Sequence, residues 1–211
     1  MMILKQIAEY LEDGMAPKVK ELVQQALDEG LDPKIILEEG LLKGMEVIGK
    51  LFKENEIFVP EVMIAARAMN AGMSILEPVL VKIGNVSLGK VVIGTVKGDL
   101  HDIGKNIVGM MLKGAGLEVI DLGVDVSVEK FVDEAEAVGA NIICMSALLT
   151  TTMLNMEALI KELENRGIRD QYIVMIGGAP VTDDFAKKIG ANIYTPDAAT
   201  AAEAAKEVLI A

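Results

Sequence analysis

Hydrophobic residues recur every three or four positions from residue 1 to about residue 83, a spacing that places them on one face of a helix. The third such stripe begins after Asp32-Pro33, which is a typical helix N-cap followed by proline, and Pro60 opens the fourth. Four helices with short connections are typical of a small helical bundle. The stripes cover residues 4–11, 19–27, 36–52 and 61–80.

Beyond residue 89 the pattern changes to short apolar runs that alternate with amphipathic segments. This alternation predicts an α/β domain with a parallel sheet covered on both faces, in a Rossmann-like (flavodoxin-like) arrangement. The predicted strands lie near residues 90–96, 118–122, 141–147, 172–177 and 192–195. The predicted helices lie near residues 102–114, 127–138, 153–166, 182–189 and 198–210. Residues 82–89 have the composition of a linker, so we expect a helical bundle over residues 1–88 and a five-stranded domain over residues 89–211.

Composition excludes several classes of function. The net charge of −12 disfavours nucleic-acid binding, which requires clustered Lys and Arg. The single cysteine, Cys144, lies in an apolar run, so neither a disulfide framework nor an iron–sulfur cluster is expected. No apolar stretch approaches the roughly 20 residues of a membrane span, and the first residues do not resemble a secretory signal. We therefore expect a cytoplasmic protein that binds neither nucleic acid nor membrane.

The only histidine, His101, lies between the first strand pattern and the helix pattern that follows it. This position predicts a loop at the carboxyl end of a parallel strand, the edge of a sheet where ligands bind. Imidazole is a common ligand of transition metals, and Asp99 is placed to hold its second nitrogen. One histidine cannot form a metal site unaided, so a metal would need further ligands or would arrive within a preassembled cofactor. The alternative is a loop histidine that is bonded to backbone.

Two later strand ends share this edge. The third strand runs into Ser146 and a series of hydroxyl residues, of which Thr151 or Thr152 could cap the next helix. The fourth strand ends in Gly177-Gly178, which permits close approach of a flat ligand or unusual backbone angles. No Gly-x-Gly-x-x-Gly motif follows the first strand and no P-loop is present, so ordinary dinucleotide binding is disfavoured.

These pieces form a known combination. Asp99-x-His101-x-x-Gly104, then Ser146-x-Leu148, then Gly177-Gly178 resembles the signature of base-off/His-on cobalamin-binding domains. The upstream helices, with Leu51-Phe52 and Glu56-Ile57-Phe58-Val59-Pro60, resemble the cap module of cobalamin-dependent methionine synthase. The whole chain is similar in length and layout to the stand-alone corrinoid proteins of methyltransferase systems. Such systems use methylamines, methanol, betaines or methoxylated aromatic compounds as methyl donors.

The resemblance implies cobalamin or a related cobamide as the cofactor. His101 would be the axial cobalt ligand in place of the cofactor's benzimidazole, Asp99 would hold the far imidazole nitrogen, and Thr152 would extend this relay. The synthase has serine at the position of Thr152, and threonine retains the hydroxyl. Phe52 and Val59 match residues that cover the upper face of cobalt, whereas spacing alone also fits a plug at the end of the bundle. The other implied cofactor contacts are Gly98, Leu100, Asp102, Ile103, Gly104, Ser146, Leu148, Thr150, Gly177, Gly178 and Ala198.

The function that the resemblance implies is that of a methyl carrier, a corrinoid subunit rather than an enzyme acting alone. A substrate-specific methyltransferase would methylate Co(I), a second methyltransferase would pass the methyl group to tetrahydrofolate or coenzyme M, and a reductive activase would restore Co(I). One alternative is the small subunit of an adenosylcobalamin-dependent mutase, which the helical bundle disfavours because it would obstruct docking to a substrate barrel. A cobalamin-sensing regulator would need a DNA-binding module with a basic helix. The third alternative is a flavodoxin-like protein that binds another flat cofactor.

Overall fold

The computed structural model describes residues 2–82 and 88–210, so most of the predicted linker lies outside the described residues. The described residues divide into two compact units. One unit consists of the N-terminal helices together with Gly114–Gly116, and the other runs from Leu88 to Lys113 and from Leu117 onward. The predicted fold class, a helical bundle followed by a five-stranded parallel α/β domain, is confirmed. None of the helices in these ranges has the length and apolarity needed to cross a membrane.

The helical unit buries the predicted hydrophobic stripes in its core. Its elements are α1 (Met2–Glu12), α2 (Ala16–Asp28), α3 (Pro33–Ile35), a π-helical segment (Ile36–Leu42), α4 (Lys43–Lys53) and α5 (Val59–Lys82). Fully buried members of the stripes include Ile7, Leu11, Val23, Ile36 and Leu76. The third predicted helix is therefore a continuous run of α3, the π-helical segment and α4, rather than one regular α-helix.

Local sequence features explain where helices in this unit begin and how closely they pack. Oδ1 of Asp32 accepts a hydrogen bond of 2.8 Å from the backbone N–H of Lys34, so the predicted N-cap is confirmed. α4 approaches α1 closely at Gly44, where a Cβ atom would lie 2.9 Å from the carbonyl oxygen of Ala8. The two helices can pack at this distance because glycine has no side chain.

The α/β unit contains a parallel sheet in the order β2-β1-β3-β4-β5. Its strands are β1 (Lys90–Thr95), β2 (Glu118–Asp121), β3 (Ile142–Ser146), β4 (Ile173–Gly177) and β5 (Ile193–Tyr194). The helices between and after them are α6 (Ile103–Gly114), α7 (Val128–Val138), α8 (Leu154–Asn165), α9 (Asp183–Ile189) and α10 (Ala198–Ile210). Each of these elements lies within one residue of its predicted limits, since short apolar runs, which are mostly buried in β1, β3 and β4, alternate here with amphipathic helices.

The strand order is the flavodoxin-like one, in which the direction of winding reverses between β1 and β3. Ligands bind outside the carboxyl ends of the strands at such a switch point. The register places Thr95 of β1 beside Ser146 of β3, and Ser146 beside Gly177 of β4. The loops that follow these three strands therefore begin at the same level along one edge of the sheet.

Candidate functional site

The loop that carries His101 (residues 96–102, the His101 loop) is fixed at several backbone positions. Gly98 adopts a left-handed conformation with φ of +81°, and its N–H donates to Oδ1 of Asp125 at 2.7 Å. The N–H of Asp125 in turn donates to the carbonyl oxygen of Asp99 at 3.0 Å. The N–H of Asp99 donates to the carbonyl oxygen of Val96 at 3.1 Å. The protein itself therefore defines the path of this loop, partly through the loop that follows β2.

Asp99 is completely buried and is surrounded by hydrogen-bond donors. Its Oδ1 lies 2.6 Å from Nδ1 of His101 and accepts a second bond of 3.2 Å from the backbone N–H of His101. Its Oδ2 accepts from the N–H of Leu148 at 2.7 Å, from the N–H of Leu149 at 3.3 Å and from the hydroxyl of Thr152 at 2.9 Å. Burial raises the pKa of Asp99, but the bonds from Leu148, His101 and Thr152 outweigh it and hold this pKa well below its usual range. The carboxyl group is therefore ionised and acts only as an acceptor.

His101 has one imidazole nitrogen bonded and the other free. Because the Asp99 carboxylate only accepts, Nδ1 carries the proton in their contact, and Nε2 of the neutral ring keeps its lone pair. The ring is thus bonded to a carboxylate, and the alternative of a ring bonded to backbone is wrong. Nε2 has no hydrogen-bond partner among the described residues, and the side chain is 52% exposed. An imidazole oriented in this way is a typical metal ligand.

Large apolar side chains are exposed around this nitrogen donor. Leu100 and Ile103, on either side of His101 in the chain, are 72% and 71% exposed. Leu148 and Leu149 are exposed in the loop that follows β3 (residues 147–153, the β3 loop). Apolar groups of this size cost free energy in water, and contiguous ones mark sites where a ligand or partner binds. The site therefore suits a broad, partly apolar molecule that carries a metal.

The Gly177-Gly178 pair allows the β3 loop and the segment after β4 to meet. The carbonyl oxygen of Gly177 accepts a hydrogen bond of 3.2 Å from the N–H of Ala147. Gly178 has a φ of +128°, and a Cβ atom at this residue would lie 1.9 Å from the carbonyl oxygen of Ala147. A side chain at residue 178 would therefore force one of these two segments to move. Of the two explanations offered for this pair, the structure shows the unusual backbone angle.

The structure brings Asp99, His101, Leu148 and Thr152 into one hydrogen-bonded group. The hydroxyl of Thr152 points to Asp99 and to the carbonyl oxygen of Leu149, and α8 begins without a side-chain cap. The predicted capping role of Thr151 or Thr152 is therefore wrong. Other predicted contacts lie along the same edge of the sheet or just beyond it: Asp102 and Gly104 at the start of α6, Ser146 at the end of β3, Thr150 exposed in the β3 loop, and Ala198 buried at the start of α10.

Phe52 and Val59 lie in the helical unit, on either side of the turn that joins α4 to α5, and both are half-buried. Asn55 adopts a left-handed conformation with φ of +59°, and its N–H donates to the carbonyl oxygen of Phe52 at 3.1 Å, as at the end of many helices. The side chain of Glu61 accepts from the N–H of Phe58 at 3.0 Å and fixes the start of α5. The turn therefore has a defined geometry, and the role of Phe52 and Val59 as a cover stays a prediction.

Sequence reasoning missed two buried polar side chains, one that contacts the His101 loop and one in the first turn of α6. The hydroxyl of Thr95 donates to the carbonyl oxygen of His101 at 2.8 Å. Nζ of Lys105 lies 2.7 Å and 2.6 Å from the two carboxylate oxygens of Asp121. Two signals in the sequence could have indicated them. Thr95 is a polar residue at the end of an apolar strand, and Lys105 lies seven residues before Leu112, which places both on the same face of the helix.

The fold and the site define a class of protein, namely a flavodoxin-like ligand-binding domain in which an imidazole oriented by a carboxylate offers Nε2 at the switch point. Two family models, both described as a B12 binding domain, match this chain: one covers residues 89–206 and the other covers residues 3–77. The chain therefore belongs to the family of B12-binding proteins.

Individual corrinoid proteins are similar to the chain over most or all of its length. A corrinoid protein of Desulfitobacterium hafniense is 47% identical, with 99% of this chain and 98% of that protein covered. Trimethylamine corrinoid protein 1 of Methanosarcina acetivorans is 45% identical, with 90% and 89% covered. The solved methanol:cobalamin methyltransferase complex of Methanosarcina barkeri contains a chain with a TM-score of 0.88 and 32% identity, covering 99% of this chain and 80% of that one. These findings confirm the expected corrinoid cofactor.

Proposed function

We propose that this protein is a corrinoid-binding methyl carrier. It accepts a methyl group on the cobalt of its corrinoid from a substrate-specific methyltransferase, and it gives the group to a second methyltransferase that acts on tetrahydrofolate or coenzyme M. The observation that carries this proposal is the pair formed by Asp99 and His101, which leaves Nε2 free at the switch point of the sheet. Similarity to proteins of trimethylamine and methanol systems supports the role of carrier.

The donors at this edge of the sheet fit a corrinoid. A corrinoid supplies a cobalt ion that is already held in its macrocycle and that takes up and releases methyl groups. One protein imidazole is therefore a sufficient ligand, and His101 offers one. The exposed side chains of Leu100, Ile103 and Leu148 offer apolar contacts to such a macrocycle.

Asp99 and Thr152 orient the imidazole and adjust its basicity. The ionised Asp99 accepts a hydrogen bond from Nδ1–H of His101, which makes Nε2 a stronger electron donor to a metal. The hydroxyl of Thr152 donates a hydrogen bond to the other carboxylate oxygen and holds Asp99 in this orientation. Because His101 would replace the benzimidazole on cobalt, the nucleotide tail that carries this base would be displaced along the sheet. We assign the following residues to this tail: Ser146, Leu148, Thr150, Gly177, Gly178 and Ala198.

In the helical unit, we assign Phe52 and Val59 to an apolar cover for the upper face of cobalt. An apolar cover excludes water from a reactive cobalt–carbon bond and from the strongly reducing Co(I) state. Both side chains flank a turn whose ends are fixed by hydrogen bonds, which supports a role in which the two side chains are held at fixed positions.

A reductive activase would be a third partner, since Co(I) lost to oxidation has to be restored.

The single histidine allows a direct test of the proposed cobalt ligand. The full chain, purified with a tag that contains no histidine, is labelled with nitrogen-15 histidine, loaded with hydroxocobalamin and reduced to the Co(II) state. Electron paramagnetic resonance should show each cobalt line split into a doublet by the labelled nitrogen, and into a triplet in unlabelled protein. His101→Ala should abolish the nitrogen splitting and weaken corrinoid retention.

Two results would contradict the proposal at different levels. A triplet that persists in the labelled protein would show that benzimidazole remains on cobalt, which would remove His101 from its role. Failure of the wild-type chain to retain any corrinoid would remove the carrier function as well.

The carrier step requires a second experiment with partner enzymes. Loaded and reduced protein is mixed with one methyl donor and the methyltransferase that uses it, from a panel of trimethylamine, methanol, glycine betaine and a methoxylated aromatic compound. We expect one pair to convert the Co(I) spectrum to that of the methylated cofactor, and His101→Ala to do so more slowly. A loaded protein that none of these pairs methylates would argue against a carrier for this group of donors.

A further inference from the structure

Buried polar side chains in the described part of the chain are concentrated at one place. They are Thr95, Asp99, Lys105 and Thr152. All four hold the His101 loop or the first turn of α6 that follows it. Asp99 and Thr152 act on the imidazole ring, as described above. Thr95 and Lys105 do not contact the ring, so their burial needs a separate explanation.

Thr95 is completely buried at the end of β1. Its backbone is fixed by the loop after β2, because its N–H donates to Gly123 and its carbonyl oxygen accepts from Val126, each at 3.0 Å. Its hydroxyl donates to the carbonyl oxygen of His101 at 2.8 Å. A hydroxyl in the core costs free energy unless it is hydrogen-bonded, a cost that valine, of nearly the same shape, would not carry. The hydroxyl therefore serves to bind the backbone of the residue that bears the ligand nitrogen.

Lys105 anchors the chain on the other side of His101. Its side chain is 2% exposed, and Nζ bonds to both oxygens of Asp121 and, at 2.6 Å, to Oδ1 of Asn106. Oδ1 of Asp121 also accepts from the N–H of Gly123 at 2.9 Å. A cation near a helix N-terminus opposes the helix dipole, and burying it is costly unless it is paired. The Lys105–Asp121 pair thus joins the start of α6 to the end of β2.

We propose that Thr95 and Lys105 are positioning residues for His101. Asp99 and Thr152 fix the direction of the ring, whereas Thr95 and the Lys105–Asp121 pair fix the backbone from which the ring extends. These contacts would therefore hold Nε2 in one position, from which it would bind the metal of the cofactor. This inference rests on the proposed role of His101 as the cobalt ligand.

The clearest test removes the Thr95 hydroxyl and keeps the shape of the side chain. In Thr95→Val the carbonyl oxygen of His101 loses its partner, whereas Thr95→Ser retains the hydroxyl and should behave like the wild type. Loss of one such bond corresponds to about a tenfold change in a local opening equilibrium. We therefore expect about tenfold faster hydrogen exchange at the His101 amide in the cofactor-free protein. In the loaded Co(II) protein, the ratio of His-on to His-off signal should fall by about the same factor.

Two further variants keep the test decisive if Thr95→Val folds poorly. Lys105→Met retains most of the volume of the side chain and removes its bonds to Asp121, and it should produce the same two changes. Thr182→Val is the matched control, because Thr182 accepts from the N–H of Phe185 at the start of α9 and removal of this cap destabilises the protein elsewhere. Thr182→Val should leave both His101 measurements at wild-type values.

The outcomes separate this inference from the proposed function. If wild-type protein shows the doublet and both Thr95→Val and Lys105→Met keep its exchange rate and His-on ratio, the inference is wrong and the function stands. If the wild type shows no splitting from the labelled histidine, the role of His101 fails and the inference fails with it. Equal changes in Thr182→Val would also overturn it, since the effects would then reflect general stability.

Discussion

Nδ1 of His101 lies 2.6 Å from Oδ1 of Asp99, and the other oxygen of the same carboxylate accepts a bond of 2.7 Å from the N–H of Leu148. One buried side chain therefore joins the loops after β1 and β3, the two strands that flank the switch point. The orientation of the imidazole therefore depends on the β3 loop as well as on the His101 loop.

Replacing Asp99 by asparagine should change the tautomer of His101. An asparagine side chain can either accept from Nδ1–H or donate to an unprotonated Nδ1, so it no longer requires the proton on Nδ1. Nitrogen-15 spectra of the neutral imidazole in the cofactor-free protein should show Nδ1–H in the wild type and a mixture of the two tautomers in the variant. The free energy of unfolding should fall by about 2–3 kcal/mol, because a hydrogen-bonded charge is lost.

The control for this variant is Asp170→Asn, which changes an exposed carboxylate in another part of the α/β unit. It should leave both the histidine spectrum and the unfolding free energy close to wild-type values. A histidine spectrum of Asp99→Asn identical to that of the wild type would mean that Asp99 does not set the tautomer.

Removing the Phe52 ring should expose the loaded cofactor without displacing it. Phe52→Ala should retain the corrinoid, and the methylated form should lose its methyl group roughly threefold faster or more under light or air, because water and oxygen reach the cobalt–carbon bond. Loss of the methylated spectrum over time measures this rate. Phe58→Ala is the matched control, since Phe58 is 64% exposed and lies in the same turn. Equal rates in Phe52→Ala and the wild type would exclude the role of cover.

A methyl group added at residue 178 should destabilise the protein more than one added elsewhere. Gly178→Ala should lower the free energy of unfolding by about 3 kcal/mol or more, since a strained φ is combined with a clash against the carbonyl oxygen of Ala147. Gly139 also has a positive φ, of +64°, but nothing lies within 4 Å of its Cβ position. Gly139→Ala should therefore cost only about 1–2 kcal/mol. Urea denaturation of the two variants compares these values, and similar losses would show that the clash is relieved at little cost.

Cys144 should make the protein sensitive to alkaline pH. Burial in β3 raises the pKa of this thiol to about 12, compared with 9.0 for an ordinary cysteine. The folded state keeps the thiol protonated, so the contribution of Cys144 to stability is complete below about pH 9 and is lost between about pH 9 and pH 12. The difference in unfolding free energy between the wild type and Cys144→Ala should shrink over this range by up to about 1.4 kcal/mol per pH unit. A constant difference would mean that the buried thiol ionises freely.

The limits of the strands and helices in the α/β unit were predictable because each is set by a local pattern. The run before the His101 loop is β-branched and buried on both faces, which distinguishes it from a helix without any knowledge of its neighbours. The π-helical segment of residues Ile36–Leu42 was not predictable in the same way. The π-helical segment makes this part of the helix wider, with i→i+5 hydrogen bonds, while Ile36 and Leu41 are still buried in the core. The apolar stripe therefore does not reveal it.

Contacts in the site were predictable only where they depend on the chemical type of the side chains involved. Asp99 and His101 lie two residues apart, so their pairing follows from local sequence. The bond from Leu149 to Asp99 is made by a backbone N–H, which every residue except proline possesses, and no sequence signal marks it. Lys105 and Asp121 are 16 residues apart on different elements, and both are residue types that usually face solvent. Their pairing becomes evident only when α6 is packed on the sheet.

The distance along the chain between Asp99 and its donors sets an order for assembly in the cell. Leu148 and Thr152 follow Asp99 by 49 and 53 residues. A nascent chain that ends before the β3 loop lacks the donors to Oδ2 of Asp99, so only contacts within the His101 loop orient the imidazole. The hydrogen-bonded group around Asp99 is therefore complete only once β3 has been synthesised, and a truncated product that stops before β3 should retain corrinoid less tightly than the full chain.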